Sequence, residues 1–537
     1  MLGRMMQFPL TINALVRHAA VAHAGRPISS RRADRTIERY TFGECIARAR
    51  QLGNALRTLG LRDGDRIATL AWTNRRHLEL YYGAPSFGLV LHTLNIRLHP
   101  DELAYICAHA DDRAIVVDKS LWPVFEKFAD RHHFDHVIVA SDDSDVPAGT
   151  ISFDDLVASG RDDEPPDIDD ENTAAALCYT SGTTGKPKGV MYSHRSQVLH
   201  ALVTNSADVI NIGSCDITLP IVPMFHVNAW GIPYGAALAG SGLALPGQCL
   251  DPQGVVELMA SEHVTVAAGV PTIWMGVLDY LDQHRGDHDL SHVKQLTVGG
   301  SAMPESLIRA FSERHGLEIR QGWGMTELSP VGSFTSPREG HGQDYAYRAT
   351  AGVKLPFVEI RARNVDGLVP WDGQTMGELE VRGPFVVGEY YESEPDESGP
   401  RFTDDGWFRT GDIVTIGKGA HIVIQDRSKD LIKSGGEWIS SVQIESHLVA
   451  HESVADAAVI AIAHPRWMER PLALVVLRPG HNLDQDALQR HVASRFAKWW
   501  IPDAFVRVET LPRTATGKIR KNELRAEFST HFASVPV

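Results

Sequence analysis

The stretch YTSGTTGKPKG, residues 179–189, decides how the rest of the chain is read. It follows an apolar run at 174–177 whose length and composition predict a buried strand. Consecutive hydroxyl and glycine residues let backbone N–H groups and side-chain O–H groups converge on phosphate oxygens, and Lys186 and Lys188 add charge. A Walker loop does not fit, because Gly182 would need a Gly-Lys pair at 187–188, where Pro187 stands. A solvated Ser/Thr/Gly loop is the ordinary alternative for three or four such residues. Eleven in this order favour a phosphate loop.

Upstream of that loop, residues up to about 170 alternate helical and strand patterns. Thr41 and Glu44 have capping-box spacing ahead of Ile46, Ala49, Leu52, Leu56 and Leu59, with Gly60 placed to end the helix. Apolar runs at 67–71, 114–118 and 136–140 predict parallel strands, and RDDEPPDIDDEN at 161–172 reads as a surface connector. Downstream, strands are expected at 218–222, 264–268 and 295–298. The region 337–425 changes character: short alternating runs such as 358–362 and 378–381, broken by Asp-Gly, Gly and Pro, predict antiparallel β structure. After Asp426 the α/β rhythm returns, with strands at 454–463 and 472–477 and a helix at 484–496. The fold class is therefore α/β, mixed with α+β. A large N-terminal domain, 1–425, comprises two α/β subdomains and a β-rich part at about 337–425. A small C-terminal α/β domain follows at 426–537.

Four further motifs bear chemistry. QGWGMTE at 321–327 follows a strand-like 317–320; its glycines allow a flat purine to lie on backbone and ring, and Glu327 offers Mg²⁺ a hard oxygen ligand. Taken alone, a Trp between glycines is equally a core residue at a tight turn. WFRTGD at 407–412 presents a carboxylate, Asp412, able to accept two hydrogen bonds from a ribose diol; taken by itself it is equally an Asp capping a turn. DRSKDLIKSGGEW at 426–438 packs charge and glycine beside the junction, and PRTATGKI at 512–519 sets Lys518 on a Thr/Gly-rich loop.

The 537 residues carry 52 Lys plus Arg against 67 Asp plus Glu, a net −15 that repels phosphate backbones and anionic lipid. Nucleic-acid and stable membrane partners are not expected. Five scattered cysteines (Cys45, Cys107, Cys178, Cys215, Cys249) form no Cys-x-x-Cys pair, which points to a reducing compartment without a disulfide framework or zinc site. The N-terminus lacks a signal-peptide pattern and no apolar run reaches a membrane span, so a cytoplasmic location is expected.

In order and spacing these five motifs resemble the acyl-adenylate-forming superfamily: acyl-CoA synthetases, firefly-type luciferases and peptide-synthetase adenylation domains. The resemblance runs from about residue 10 to 530, and GWGMTE, DRSKDLIKSGGEWIS, AKWWIPD and PMFHVNAWG (223–231) most resemble bacterial fatty-acyl-CoA synthetases and 3-methylmercaptopropionate-CoA ligases. It implies ATP, Mg²⁺ and coenzyme A as ligands, with a small carboxylic acid as substrate. A homodimer is a weaker implication of the same kind.

The resemblance also assigns roles. Lys518 would bridge carboxylate and α-phosphate. Thr180, Ser181, Gly182, Thr183, Thr184 and Lys188 would hold the β- and γ-phosphates, with Thr180 and Glu327 orienting Mg²⁺ and Thr326 on the α-phosphate. Gly300, Ser301 and Ala302 would enclose adenine with Gln321, Gly322, Trp323, Gly324 and Met325, and Asp412 and Arg427 would take the ribose. His226 would lie between adenylate and acyl group and help place the thiol. The small domain would rotate about Asp426, setting the Gly435-Gly436 pair near the pantetheine path; Lys433 and Glu437 would contact the cofactor, and Trp438 would either gate the acyl or adenine pocket or pack on the surface of the small domain. The acyl pocket would comprise His226, Val227, Trp230, Gly231 and Gly299, together with Gly300, Trp323, Gly324 and Met325. Bulky Trp230 and Trp323 suggest limited depth, whereas Gly299, Gly300 and Gly324 leave room for a channel; a short or medium acyl chain, or a compact thioether acid, is expected. Aryl or long-chain acids, a carrier-loading adenylation enzyme and a non-catalytic nucleotide sensor are the rival readings.

Overall fold

Thr41 and Glu44 make the capping box their spacing predicts. Thr41 Oγ1 accepts from Glu44 N at 3.3 Å, and the Glu44 carboxylate accepts from Thr41 N at 2.7 Å, opening the helix Phe42–Thr58. Gly60, at φ +98°, follows its end. The computed structural model describes residues 3–143, 145–180, 186–336, 344–392, 401–434, 437–464, 466–514 and 518–532.

Among these residues, the short apolar runs become a seven-stranded sheet. Arg66–Leu70 sits at its centre, parallel to Val90–Thr93 on one side and to Asp112–Asp118 on the other, with His136–Ala140 beyond. Ala174–Tyr179 runs parallel to Val90–Thr93, and Gly189–Ser193 returns antiparallel to it. The glycine- and hydroxyl-rich stretch thus connects two antiparallel strands and opens no helix.

The second sheet has fourteen strands among the described residues. Its parallel centre is Ile217–Pro220, Val266–Gly269, Gln295–Val298 and Ile319–Gly324. Gly242–Leu245 and Pro27–Arg31 extend one side in parallel register (Ile28 opposite Leu243), and Ile37–Thr41 closes the edge. Residues 27–41 therefore leave the first α/β unit, where the alternation of elements had placed them. Pairing across more than 200 residues leaves no trace in local periodicity. The antiparallel region is hydrogen-bonded onto the same sheet, starting at Val331–Phe334 and continuing through Gly352–Lys354, His421–Arg427, Phe408–Gly417, Gly377–Arg382 and Glu359–Asn364.

A third sheet of five described strands is built on the hairpin Val454–His464 and Met468–Leu477. The helices Ser441–Val449 and Gln485–Ala493 cover one face with Ile444, Leu448, Leu488 and Val492. Each such buried side chain contributes about 1.5–3 kcal/mol. No described helix is long and apolar enough to cross a membrane.

Candidate active site

A cavity of about 1360 Å³ opens at the carboxyl ends of the central parallel strands, where 221–222, 270–272 and 299–302 leave them. That is where open α/β sheets expose backbone groups to a ligand. The volume exceeds the 300–1,000 Å³ or so of a one-ligand pocket.

One side of the cavity is built on Thr180, whose N–H donates to Lys188 O at 2.9 Å while its Oγ1 accepts from Lys188 N at 3.3 Å. These two bonds close the neck of the loop. Ser181, Gly182, Thr183 and Thr184 lie outside the described residues. Lys188 Nζ stands 5.1 Å from the centroid of the Tyr390 ring, and the Tyr390 hydroxyl donates to Glu327 Oε1 at 2.7 Å. Tyr192 donates to Thr326 O at 2.7 Å. A buried carboxylate and a threonine hydroxyl are hard oxygen donors, the set Mg²⁺ takes when phosphates supply the remainder.

A second part of the cavity wall joins two distant motifs. Trp323 Nε1 donates to Asp412 Oδ2 at 2.9 Å, and Arg427 Nε lies 2.8 Å from Asp412 Oδ1, the two residues being opposite each other on adjacent strands. Gly300, Ser301, Ala302, Gly322, Gly324 and Met325 line the same cavity. Gln321 reaches it too, yet its side chain is engaged elsewhere. Its Oε1 accepts from Met303 N at 2.5 Å, and its Nε2 donates to Thr350 O at 2.8 Å.

Lys518 enters from the third sheet's side. Its N–H donates to Thr514 Oγ1 at 3.1 Å and its carbonyl accepts from Thr514 N at 2.7 Å. Loss of hydration in the cavity and the nearby Arg427 hold its ammonium down to about 8, with Asp412 and Glu327 opposing. The same ammonium helps keep His226 neutral, pushed down to about 3 chiefly by burial. Asp426, at the junction, is buried; its Oδ2 accepts from Ser441 N at 2.7 Å and Ser441 Oγ at 2.5 Å. Burial pushes Glu445 up to about 7 against the pull of Lys521.

Beside His226 the cavity wall is a left-handed turn. Val227, Asn228, Ala229 and Trp230 have φ of +47°, +49°, +48° and +56°, conformations that cost L-residues about 1–2 kcal/mol each. Tyr81 donates to Asn228 Oδ1 at 3.2 Å and helps hold the turn. Trp230 thereby packs against Gly299, where a Cβ would stand 2.9 Å from the indole Cη2.

One matched family model, described as AMP-binding enzyme, spans residues 16–391, and its C-terminal companion spans 443–518. The chain belongs to the AMP-binding enzyme family. Among its relatives, a 3-methylmercaptopropionyl-CoA ligase of Ruegeria lacuscaerulensis is 44% identical, covering 98% of this chain and 99% of the relative. A medium-chain-fatty-acid–CoA ligase of Ectopseudomonas oleovorans is 43% identical over 98% of each chain. A long-chain-fatty-acid–CoA ligase of Thermus thermophilus is also 43% identical, covering 98% and 97%. Of solved structures, ATP-bound MatB from Rhodopseudomonas palustris superposes with TM-score 0.83 at 26% identity, covering 97% of this chain and all of that one.

Against this AMP-binding enzyme frame, several residues depart from their expected places. Gly231 is not on the cavity wall; its φ is +75°, and a Cβ there would stand 2.8 Å from His200 Nδ1. Gly299 and Gly324 open no channel: Trp230 fills the space at one, and the Pro330 carbonyl lies 2.1 Å from a Cβ built at the other. In this arrangement, before any rotation about Asp426, Lys433 and Trp438 lie off the cavity, Lys433 Nζ over the half-exposed Trp438 ring at 5.1 Å. Gly435, Gly436 and the Glu437 side chain lie outside the described residues. Tyr390, Arg97, Arg401 and Lys429 do line the cavity and were not foreseen. Lys429 stands inside a recognised motif, whereas Tyr390 belongs to none.

Proposed function

We propose that this AMP-binding enzyme is an AMP-forming acyl-CoA ligase for short- or medium-chain acids or a compact thioether acid such as 3-methylmercaptopropionate. The observation that carries the reading is the arrival of Lys518, from the C-terminal part, in a cavity walled by Thr180, Glu327, Asp412 and Arg427 of the N-terminal part. The relatives named for CoA ligation support the second half of the reaction.

Two anions must meet in the first step. The acid is ionised at neutral pH and needs no general base. A carboxylate oxygen bonds to the α-phosphorus of ATP as the bond to pyrophosphate breaks, and Lys518 neutralises both partners where charge accumulates. Asp412 and Arg427 orient the ribose; Glu327 and Thr180 would hold Mg²⁺, which would supply Lewis acidity to the phosphates. In the second step the CoA sulfur bonds to the acyl carbon, its proton leaves to solvent, and the carbon–oxygen bond to AMP breaks. Neutral His226 then serves as a hydrogen-bonding group at the carbonyl, not as a charge. Rotation about Asp426 between the two steps is part of the same proposal, as are the homodimer and the cytoplasmic location.

Buried Trp230 supports a short pocket. The deciding experiment is exchange of labelled pyrophosphate into ATP, followed by CoA-dependent AMP release, across acids from acetate to palmitate with methylmercaptopropionate and cinnamate. Exchange with an optimum at or below medium chain length is expected. No exchange with any acid would remove the function, and a palmitate optimum would remove the size limit.

A further inference from the structure

Three residues beyond Lys518 the chain enters the helix Lys521–Glu527, and its first residue is buried at 8% exposure. Lysines are seldom buried without a partner. Lys521 Nζ donates to Ser441 Oγ at 2.6 Å and lies 2.7 Å from Glu445 Oε1. Ser441 passes both its N–H and its O–H to Asp426 Oδ2, and Asp426 Oδ1 accepts from Arg427 N at 2.8 Å. Arg427 meets Asp412, which accepts from Trp323. One continuous chain of polar contacts therefore runs from the nucleotide wall, across the junction residue, to the helix that follows Lys518. The intervening loop is tied back on itself through Arg520 N to Pro512 O at 2.8 Å and the bridge between Arg513 and Ile519.

We propose that Lys521 is a positioning residue for acyl-adenylate formation: clamped on Ser441 and Glu445, it sets the depth at which Lys518 enters the cavity. The ammonium of Lys521 is engaged by Glu445 and Ser441, so it acts through Lys518 and not on the phosphates. The inference rests on the reading of Lys518 as the cation of the first step.

Four variants of the full chain test it: Lys518→Ala, Lys521→Met, Lys521→Arg and Glu445→Gln. Each is assayed for single-turnover acyl-AMP formation and for thioester formation from supplied acyl-AMP, with the best acid of the panel. Misplacement of a reacting group by about 1 Å costs on the order of 100-fold, so Lys521→Met should lose about that in acyl-AMP formation. Its KM for ATP and its thioester step should stay near the parent's. Lys521→Arg, still offering N–H groups to Glu445 and Ser441, should recover most of the loss. Because Lys521→Met strands the Glu445 carboxylate in the interior, Glu445→Gln is the gentler probe; it weakens the clamp and keeps an acceptor for Val459 N–H. It should lose acyl-AMP formation selectively, to a smaller degree. Equal loss of both steps, a raised KM for ATP, or unimpaired acyl-AMP formation in either Lys521→Met or Glu445→Gln would overturn the proposal. Retained acyl-AMP formation in Lys518→Ala would instead overturn the proposed function.

Discussion

Lys518 carries its proton weakly in the cavity, at about 8 against an ordinary 10.5. In the proposed reaction the protonated form is the one that neutralises two anions. Its folded value lies below the unfolded one, so the active form is present below about pH 8 and is lost as pH rises through it. The kcat/KM for ATP in acyl-AMP formation should therefore fall above pH 8. Lys518→Arg should abolish that alkaline limb, because a guanidinium does not titrate there; a limb that survives in Lys518→Arg belongs to another group. His226, neutral above about 3, should contribute no limb between pH 5 and 8. Trp323→Phe keeps an aromatic ring, though a smaller one, and removes the donor to Asp412. Hydrogen bonds to charged groups contribute about 1.5–3 kcal/mol, so the KM for ATP should rise roughly tenfold or more while the KM for the acid holds. An unchanged KM for ATP would show that Asp412 does not depend on the indole.

The informative elements are a turn and two strands. Trp230 owes its place to a left-handed turn that only tertiary contacts sustain, Tyr81 on Asn228 and the bare Gly299 beneath the indole. Trp230→Ala should shift the acid preference toward longer or bulkier chains, since each methylene admitted is worth about 1–3 kcal/mol. An unaltered acid profile would take the indole out of the pocket. Regular elements were readable from local pattern. The strands His136–Ala140 and Gln295–Val298 lie where their apolar runs predict, and Asp484 caps the helix that follows it. The strand Ile319–Gly324 shows where that reading fails: it continues through both glycines of the GWG motif, because pairing with Val331–Phe334 supplies the order that glycine lacks. The same limit hid Pro27–Arg31, whose partner Gly242–Leu245 lies far along the chain.

At the scale of the whole molecule, the C-terminal sheet closes the cavity by bringing the Lys518 loop against it, with Gln425 and Asp426 bound to the first turn of Ser441–Val449. A ligand that engages Lys518 should hold this arrangement. A non-reactive acyl-sulfamoyl adenosine should therefore slow tryptic cleavage after Lys518. Equal cleavage with and without the analogue would place the lysine away from the nucleotide. Charge follows the same division: residues 426–537 carry fifteen basic and thirteen acidic side chains, so the acidic excess belongs to the N-terminal part.

The amino-acid order alone determined the kind of chemistry, because five motifs with their glycines, hydroxyls and lysines specify which groups are present and in what succession. It also determined the alternation of elements, since hydrophobic period is a local property. Only the tertiary structure decided which of those groups meet. Trp323 on Asp412, Tyr390 on Glu327 and Lys521 on Glu445 are contacts between residues 63 to 89 positions apart. The structure also took Gly231 off the cavity wall into packing and filled the space beside Gly299 and Gly324 with Trp230 and the Pro330 carbonyl, since a glycine's vacancy belongs to whichever neighbour the fold brings there.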